Sequence, residues 1–399
     1  MRPTAFAGWH RIKIGLNHTA FGLSGTVFNF AFSIIIVRIY SAQLWGTFAQ
    51  LMLMMTLVSQ VTSWGNKDFL LREFSRSNQL SSLWQTSLFS RVIIFIPLIP
   101  VFFVYSFNQQ ETYLLGIWCF ANFFSRSFDS VIVFERKFGT AVGIEMVGFA
   151  VIVALLSILP KAITPAILII LFIITASLKT ALYVLSLRKT ILESFQGAFS
   201  RHHLVLSIPY FLPPFISFIN AKADTFAIAL TLPGKELGEY YVLVSLLSYC
   251  HAIAALALVP FLKNIYRIRL ESLHKIKMSF FLGGIAWSIL CMVCIYFSIE
   301  YIYQIHFDAP VYLVAAFALP PFFIYYLLSQ EFFRHDKPYP VVIINLLAAI
   351  LNFIVSLLLI NFFGFVGGLM SFASMQWILL LGFVVAQREF FPKPKGLAQ

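Results

Sequence analysis

The sequence predicts an all-α polytopic membrane protein of about twelve transmembrane helices, arranged as two six-helix bundles. Three observations carry that expectation. The 399 residues are 60% hydrophobic and 11% charged, against about 45–50% and about 25% in ordinary soluble domains. Apolar runs long enough to cross a bilayer recur along the whole chain. The basic residues alternate between the connecting segments as the positive-inside rule demands. A mean hydropathy of +0.87 leaves too little polar surface for a water-facing globule. That excludes a soluble enzyme, a nucleic-acid-binding domain and a disordered chain.

A helix crosses the hydrocarbon core with about 20 apolar residues, so twelve use about 240 and leave about 160 for the connections. No extramembrane domain fits. Spans are expected at Leu16–Val37, Trp45–Trp64, Trp84–Phe107, Thr112–Phe134, Thr140–Leu159 and Ile163–Leu187. They continue at Leu204–Leu232, Tyr240–Leu262, Met278–Tyr303, Val311–Gln330, Tyr339–Asn361 and Phe365–Ala386. Gly139, Gly143 and Gly148 crowd the fifth. The first run is too long for a signal-peptide core. It is followed by Arg38-Ile39-Tyr40 instead of a small-residue cleavage site, so it reads as an uncleaved span.

Numbering the segments alternately from the N-terminus places 21 of the 28 basic residues in the odd set. These are Arg2, Arg11, Lys13, Lys67, Arg72, Arg76, Arg136, Lys137, Arg188, Lys189, Arg201, Lys263, Arg267, Arg269, Lys275, Lys277, Arg334, Lys337, Arg388, Lys393 and Lys395. The even set holds Arg38, Lys161 and Lys235. A wrong number of spans would scramble this split, which predicts cytoplasmic N- and C-termini. The net charge of +12 is therefore mostly a topology signal. The cluster Arg267–Lys277 reads as inside-positive anchoring, with a lipid-headgroup site as the lesser alternative. The basic stretch Arg188–His203 divides the chain into residues 1–195 and 196–399, two six-span halves that start on the same side, as parallel repeats do. Gln43-Leu44-Trp45-Gly46-Thr47-Phe48 and Lys235-Glu236-Leu237-Gly238-Glu239-Tyr240 echo one another at equivalent turns.

Four basic residues lie inside spans: Arg91, Arg126, Lys179 and Lys222, joined by Asp129, Glu145 and Asp224. At mid-bilayer a charge costs about 2.5–3.5 kcal/mol on insertion scales, so each needs a partner or a cavity. Arg91, Asp129 and Glu145 are about 8–12 Å deep, and Arg91 is within snorkelling reach. Arg126 and Asp129 are three apart and able to neutralise one another. Lys179, about 13 Å deep, faces a cavity or bonds a neighbouring helix. Lys222 and Asp224 point about 200° apart and cannot be a simple local pair. They share span seven with Pro209, Pro213 and Pro214, and interrupted helices beside polar sites are common in transporters. Cys291-x-x-Cys294 is apolar in context and reads as packing, His251 as packing ahead of a proton relay, and His202-His203 lacks metal-ligand companions. Asn345 and Asn352 share a helix face, lining a cavity or bonding neighbours. There is no Walker loop, G-x-S-x-G or H-E-x-x-H.

Scattered positions carry a family resemblance: Arg38, Gly46-x-Phe48, Gly65…Leu71-Arg72-Glu73, Asp224, Gly238-Glu239-Tyr240, Pro260, Asn345…Asn352 and Gly364-x-x-Gly367-Gly368. Together they resemble the Wzx-type O-antigen flippases of the multidrug/oligosaccharidyl-lipid/polysaccharide superfamily. The resemblance implies two six-helix bundles around a central cavity in the bacterial inner membrane. It implies transfer of undecaprenyl-diphosphate-linked O-antigen or capsule repeat units, in lipopolysaccharide and polysaccharide biosynthesis, to the periplasmic leaflet by alternating access. Lys179, Lys222, Arg126, Arg91 and Arg38 are then the expected substrate residues, and Asp224, Asp129 and Glu145 the ion-coupling ones, with H+ or Na+ open and no other cofactor or metal. Membrane lipids and other polysaccharide-assembly proteins are the expected partners, and nucleic acid is not. A cation-coupled multidrug exporter is the alternative within transport. A membrane-embedded polysaccharide polymerase is the alternative from another class, disfavoured by external segments as short as Leu232–Glu239.

Overall fold

The computed structural model describes residues 5–77, 79–104, 108–160, 162–193, 197–265, 270–335 and 337–390. Their side chains are described except at 5–16, 101, 103–104, 256–265 and 270–277. Arg2, Lys161, Arg267, Arg269, Lys393, Lys395 and the expected third-span end Phe107 lie outside the described residues. So do the side chains of Arg11, Lys13, Pro260, Lys263, Lys275 and Lys277.

The fold is all-α. α1 (Ala5–Ile35) runs into a π-helical turn, Ile36–Tyr40, and is followed by α2 (Ala42–Ser63), α3 (Asn66–Phe74), α4 (Leu80–Val92), α5 (Phe95–Val104), α6 (Gln109–Arg126) and α7 (Asp129–Glu135). Next come α8 (Phe138–Ile158), α9 (Pro165–Ile191), α10 (Arg201–Thr231), α11 (Gly234–Ile265) and α12 (Leu270–Phe297) with its π-helical turn Ser298–Tyr303. The chain closes with α13 (Ala309–Ala318), α14 (Pro321–Arg334) and α15 (Pro338–Phe390).

Ten helices among the described residues are long and apolar enough to cross a membrane, against twelve expected spans. Two local features account for the difference. α15 contains both of the last two spans, bent at Gly364 (φ 56°, ψ −132°). The fourth span is α6 and α7, whose polar ends Gln109-Gln110-Glu111 and Ser125-Arg126 leave it outside the ten. Four spans are interrupted: at Trp64-Gly65, Ile93-Ile94, Ser127-Phe128 and Leu319-Pro320. At the last, Pro320 and Pro321 supply no N–H and fit the first turn of α14.

The chain divides into two compact units, Met1–Phe215 and Ile216–Gln399. The division falls inside α10, between Phe215 and Ile216, where the sequence put it in the preceding connection at 195/196. The stretch that precedes it is tied to the N-terminal unit: Gly197 N–H donates to Gln85 Oε1 (3.0 Å), Ser200 N–H to Ser90 Oγ (2.9 Å) and Trp64 Nε1 to the Leu204 carbonyl (2.9 Å). The N-terminal unit packs around Phe69, Trp84, Phe123, Phe128 and Tyr183. The C-terminal unit has a core of Leu328, Phe332, Met375, Leu379 and Phe383 between α14 and α15.

Two glycines are fixed by geometry. Gly65 has φ +66°, and a Cβ there would stand 2.6 Å from Phe211 N and from the Tyr210 carbonyl carbon. Backbone meets backbone at this crossing, and a side chain cannot be accommodated. At Gly367 a Cβ would stand 2.0 Å from the Leu359 carbonyl oxygen across the α15 bend. Gly65→Ala is expected to destabilise the purified protein by about 2–4 kcal/mol, combining left-handed strain with overpacking. Gly139→Ala, where a Cβ meets nothing within 4 Å, is expected to be neutral or stabilising by up to about 1 kcal/mol. Thermal unfolding in detergent compares the two, and equal stability would contradict the crossing.

Candidate functional site

Breaking a helix inside a membrane frees backbone carbonyls that must find donors. In the N-terminal unit buried side chains supply them. α2 stops at Ser63, with Trp64 and Gly65 both left-handed, and α3 restarts at Asn66. Arg91 of α4, 4% exposed, reaches the α2 end and donates from Nη1 to the Thr62 carbonyl (3.3 Å). Its Nη2 donates to Ser127 Oγ at the α6 break (3.0 Å), and its Nε to Ser87. The guanidinium lies 4.9 Å from the Phe123 ring. Trp84 Nε1 donates to the Ser127 carbonyl (2.8 Å). Arg91 is thus a buried tie between two broken helices and does not snorkel. A cation at the C-terminal end of α2 also complements its dipole.

These breaks enclose a cavity of about 230 Å³ lined by Lys67, Asp68, Arg91, Arg126, Asp129 and Tyr210, with hydroxyl and amide groups of Ser59, Gln60, Ser63 and Asn66. The N-terminal turn of α3 contributes residues 65–68 to the wall, which brings the positive end of that helix to the cavity. Arg126 and Asp129 do not neutralise one another by contact. The helix breaks between them, and neither forms an ion pair within 4.0 Å or a side-chain hydrogen bond among the described residues. Asp129 instead feels a set of charges at longer range: Arg126 and Lys67, then Glu145 and Arg91. Lys67 also has no acidic partner within 4.0 Å among the described residues. Its role was hidden in the sequence because it counted as a topology charge; the signal was Gly65-Asn66, a glycine and a helix-opening residue interrupting an apolar run.

Lys179 lies elsewhere. Its Nζ donates to Glu145 Oε2 at 2.6 Å, pairing α9 with α8, and Tyr183 OH donates to Glu145 Oε1 (3.4 Å). Gly148 makes room for it: a Cβ there would meet Lys179 Cε at 2.5 Å. Of its two readings, the structure shows the helix-bonding one. Arg38 is exposed on the π-helical turn after α1 and is not among the residues lining the cavity.

In the C-terminal unit Lys222 and Asp224 diverge as their spacing requires. Lys222 Nζ stands 5.3 Å from the Tyr241 ring centroid, a cation–π contact. Asp224 is fully buried, and its Oδ2 accepts from Tyr240 OH, which also reaches the Gly368 carbonyl (3.3 Å). Asp224 Oδ1, and Asn220 Oδ1 one turn away, are buried without a hydrogen-bond partner among the described residues. Asn220 meets both expected asparagines of α15: its Nδ2 donates to Asn345 Oδ1 (3.4 Å), and its carbonyl accepts from Asn352 Nδ2 (3.2 Å). Ser356 and Ser371 complete the network around Asn352 Oδ1. Tyr240 was missed as the partner of Asp224, although it stands in the Gly238-Glu239-Tyr240 motif, and Asn220 as the partner of Asn345 and Asn352. His251 stacks on Phe322 at 4.4 Å, and His203 sits edge-on to Phe69 at 4.6 Å.

Fold and site together define a multi-pass membrane protein with charge gathered at interrupted helices. No family model matches the sequence, and no curated protein sequence matches it. Solved structures do. The lipid II flippase MurJ in an inward closed conformation superposes with a TM-score of 0.74 at 16% identity, covering 94% of this chain and 87% of that chain. An inward-facing multidrug resistance MATE family transporter of the MOP superfamily gives 0.67 at 12% identity, covering 91% and 94%. The eukaryotic MATE transporter AtDTX14 gives 0.56 at 12% identity, covering 93% of each chain. The chain has the fold shared by these flippases and exporters.

Two outcomes follow from the geometry. Arg91→Met leaves the Thr62 carbonyl and the Ser127 hydroxyl without their buried donor and is expected to cost about 2–4 kcal/mol of stability. Unfolding in detergent measures it; a wild-type transition would show that the tie carries no weight. For Glu145 and Lys179, a double-mutant cycle with Gln and Met is expected to give a coupling of about 0.5–3 kcal/mol, and zero coupling would remove the pair from the account.

Proposed function

We propose that this chain is a flippase that moves undecaprenyl-diphosphate-linked oligosaccharides, the repeat units of O-antigen or capsule, across the bacterial inner membrane. The substrate enters at the cytoplasmic leaflet and leaves at the periplasmic one by alternating access. The observation that carries this reading is the cavity of the N-terminal unit, where Lys67 and Arg126 have no acidic group within 4.0 Å among the described residues and stand beside the opening turn of α3. A diphosphate loses its hydration on entering a membrane interior, and unpaired cations with a helix N-terminus replace it. The wall holds three cations, Lys67, Arg91 and Arg126, against two carboxylates, Asp68 and Asp129. A cationic drug would favour the opposite balance, which places the multidrug-exporter reading second. The likeness to a lipid II flippase supports a lipid-linked substrate, and the likeness to exporters supports a transporter over a polymerase.

Coupling to H+ or Na+ belongs, in this reading, to Asp224 and Asn220, whose buried oxygens lack donors. Driving force requires that the ion bind the two transport states differently. Partners are the lipid-linked oligosaccharide, membrane lipids and other polysaccharide-assembly proteins.

The test is a strain lacking the chromosomal copy, complemented with wild type or with Lys67→Gln/Arg126→Gln at equal membrane levels. The double variant is expected to lower surface polysaccharide severely, with lipid-linked repeat units accumulating in the cytoplasmic leaflet. Normal surface polysaccharide in the double variant would overturn the reading.

A further inference from the structure

Three residues of α10 stand in the wall of the N-terminal cavity: Tyr210, Phe211 and Pro214. Of these, Tyr210 alone carries a polar side chain. The α2–α3 break fixes its position on three sides. Its backbone meets that of Gly65, where a Cβ would stand 2.6 Å from the Tyr210 carbonyl carbon. The Phe69 ring of α3 meets the Tyr210 ring edge to face, with centroids 5.8 Å apart. Arg72, in the last turn of α3, donates from Nη1 to the Tyr210 hydroxyl oxygen at 2.9 Å. Trp64 stacks on Phe211 at 4.4 Å and binds the Leu204 carbonyl, which holds the neighbouring turns of α10 as well.

Arg72 is exposed and is not among the residues that line the cavity. It reaches the cavity only through Tyr210. A phenol has one O–H to donate and lone pairs to accept with, whereas a guanidinium only donates. Arg72 therefore engages a lone pair and leaves the Tyr210 O–H proton, which has no acceptor among the described residues. A hydroxyl whose oxygen already accepts from a cation is a stronger donor, because hydrogen bonds in series polarise one another.

The wall thus has a held, neutral donor on α10 beside the cations Lys67, Arg91 and Arg126 of the other helices. Phosphate oxygens accept from several directions, and charge alone does not orient them.

We propose that Tyr210 donates its O–H to a phosphate oxygen of the lipid-linked substrate, and that Arg72 is the positioning residue that holds Tyr210 for it. This assignment rests on the diphosphate reading of the cavity. It separates Arg72 from the other inside-positive residues: its contact is with the cavity wall.

A neutral donor and a cation leave different marks on binding. Removing a cation lowers affinity and flattens the salt dependence. Removing the Tyr210 O–H lowers affinity and leaves the salt dependence as it was.

The full-length protein, purified in detergent, is titrated with a short-chain prenyl diphosphate and with inorganic diphosphate at several ionic strengths. Tyr210→Phe keeps the ring against Phe69 and is expected to weaken both ligands about tenfold or more, with the wild-type salt slope. Arg72→Gln is expected to weaken both about threefold or more. In the Tyr210→Phe background Arg72→Gln is expected to have no further effect, since it acts through the lost hydroxyl. Unchanged affinity in Tyr210→Phe would overturn the proposal and leave the cationic site standing. A flattened salt slope in Tyr210→Phe would show that the substitution disturbs the cations, and would overturn it. So would equal losses from Arg72→Gln in both backgrounds, which would make Arg72 act independently of Tyr210. Loss of the prenyl diphosphate alone would place Tyr210 against the lipid chain and not the phosphate. Absence of binding of either ligand to wild type would remove the diphosphate reading, and this assignment with it.

Discussion

Charge inside hydrocarbon costs about 2.5–3.5 kcal/mol per side chain at mid-depth, and the arrangement of polar groups in this protein follows from how each charge is compensated. Glu145 and Lys179 compensate one another across α8 and α9 at 2.6 Å. Arg91 binds the carbonyl and hydroxyl groups at two helix breaks. Lys222 lies against the Tyr241 ring, and Asp224 accepts from Tyr240. Arg126 and Asp129 are compensated through a cavity and longer-range charges. That last arrangement leaves cationic charge available to a ligand, and Asp224 keeps one carboxylate oxygen without a donor among the described residues.

The cavity exists because helices are interrupted, and the interruptions are built from a few residues. Gly65 allows α2 to turn into α3 while its backbone touches that of α10. The Ser127-Phe128 step separates α6 from α7 and puts Arg126 and Asp129 on either side of a break. Each break releases backbone carbonyls, and the donors that bind them, Arg91 and Trp84, fix the cavity wall. In the C-terminal unit, Gly364 and Gly367 bend α15, and Gly368 packs against Ile228 and offers its carbonyl to Tyr240 beside Asp224.

The helical content and the apolar spans were legible in the sequence, all but the fourth recurring in membrane-length helices, because long hydrophobic runs obey bilayer physics directly. Interruptions were less legible. Trp64-Gly65 and Ser127-Phe128 stand beside polar residues, Asn66-Lys67-Asp68 and Ser125-Arg126, that read equally as the end of a span, and the packing against α10 and α4 is what shows a break. Depth along a helix could be read for Lys179, but not its partner, since Glu145 is brought to it by the packing of α8 on α9. The divergence of Lys222 and Asp224 was legible from two-residue spacing alone. Lys67 was not, because a basic residue at the end of a span reads the same whether it anchors topology or lines a cavity.

The central claim is that the N-terminal cavity carries cationic charge free for a diphosphate. Equilibrium binding of a short-chain prenyl diphosphate to purified protein, across ionic strength, tests it most directly. The account predicts that Lys67→Gln/Arg126→Gln weakens binding at least tenfold, about 1.4 kcal/mol, and flattens its salt dependence, while Lys179→Gln leaves both unchanged. Equal affinity and equal salt dependence in wild type and the double variant would contradict it.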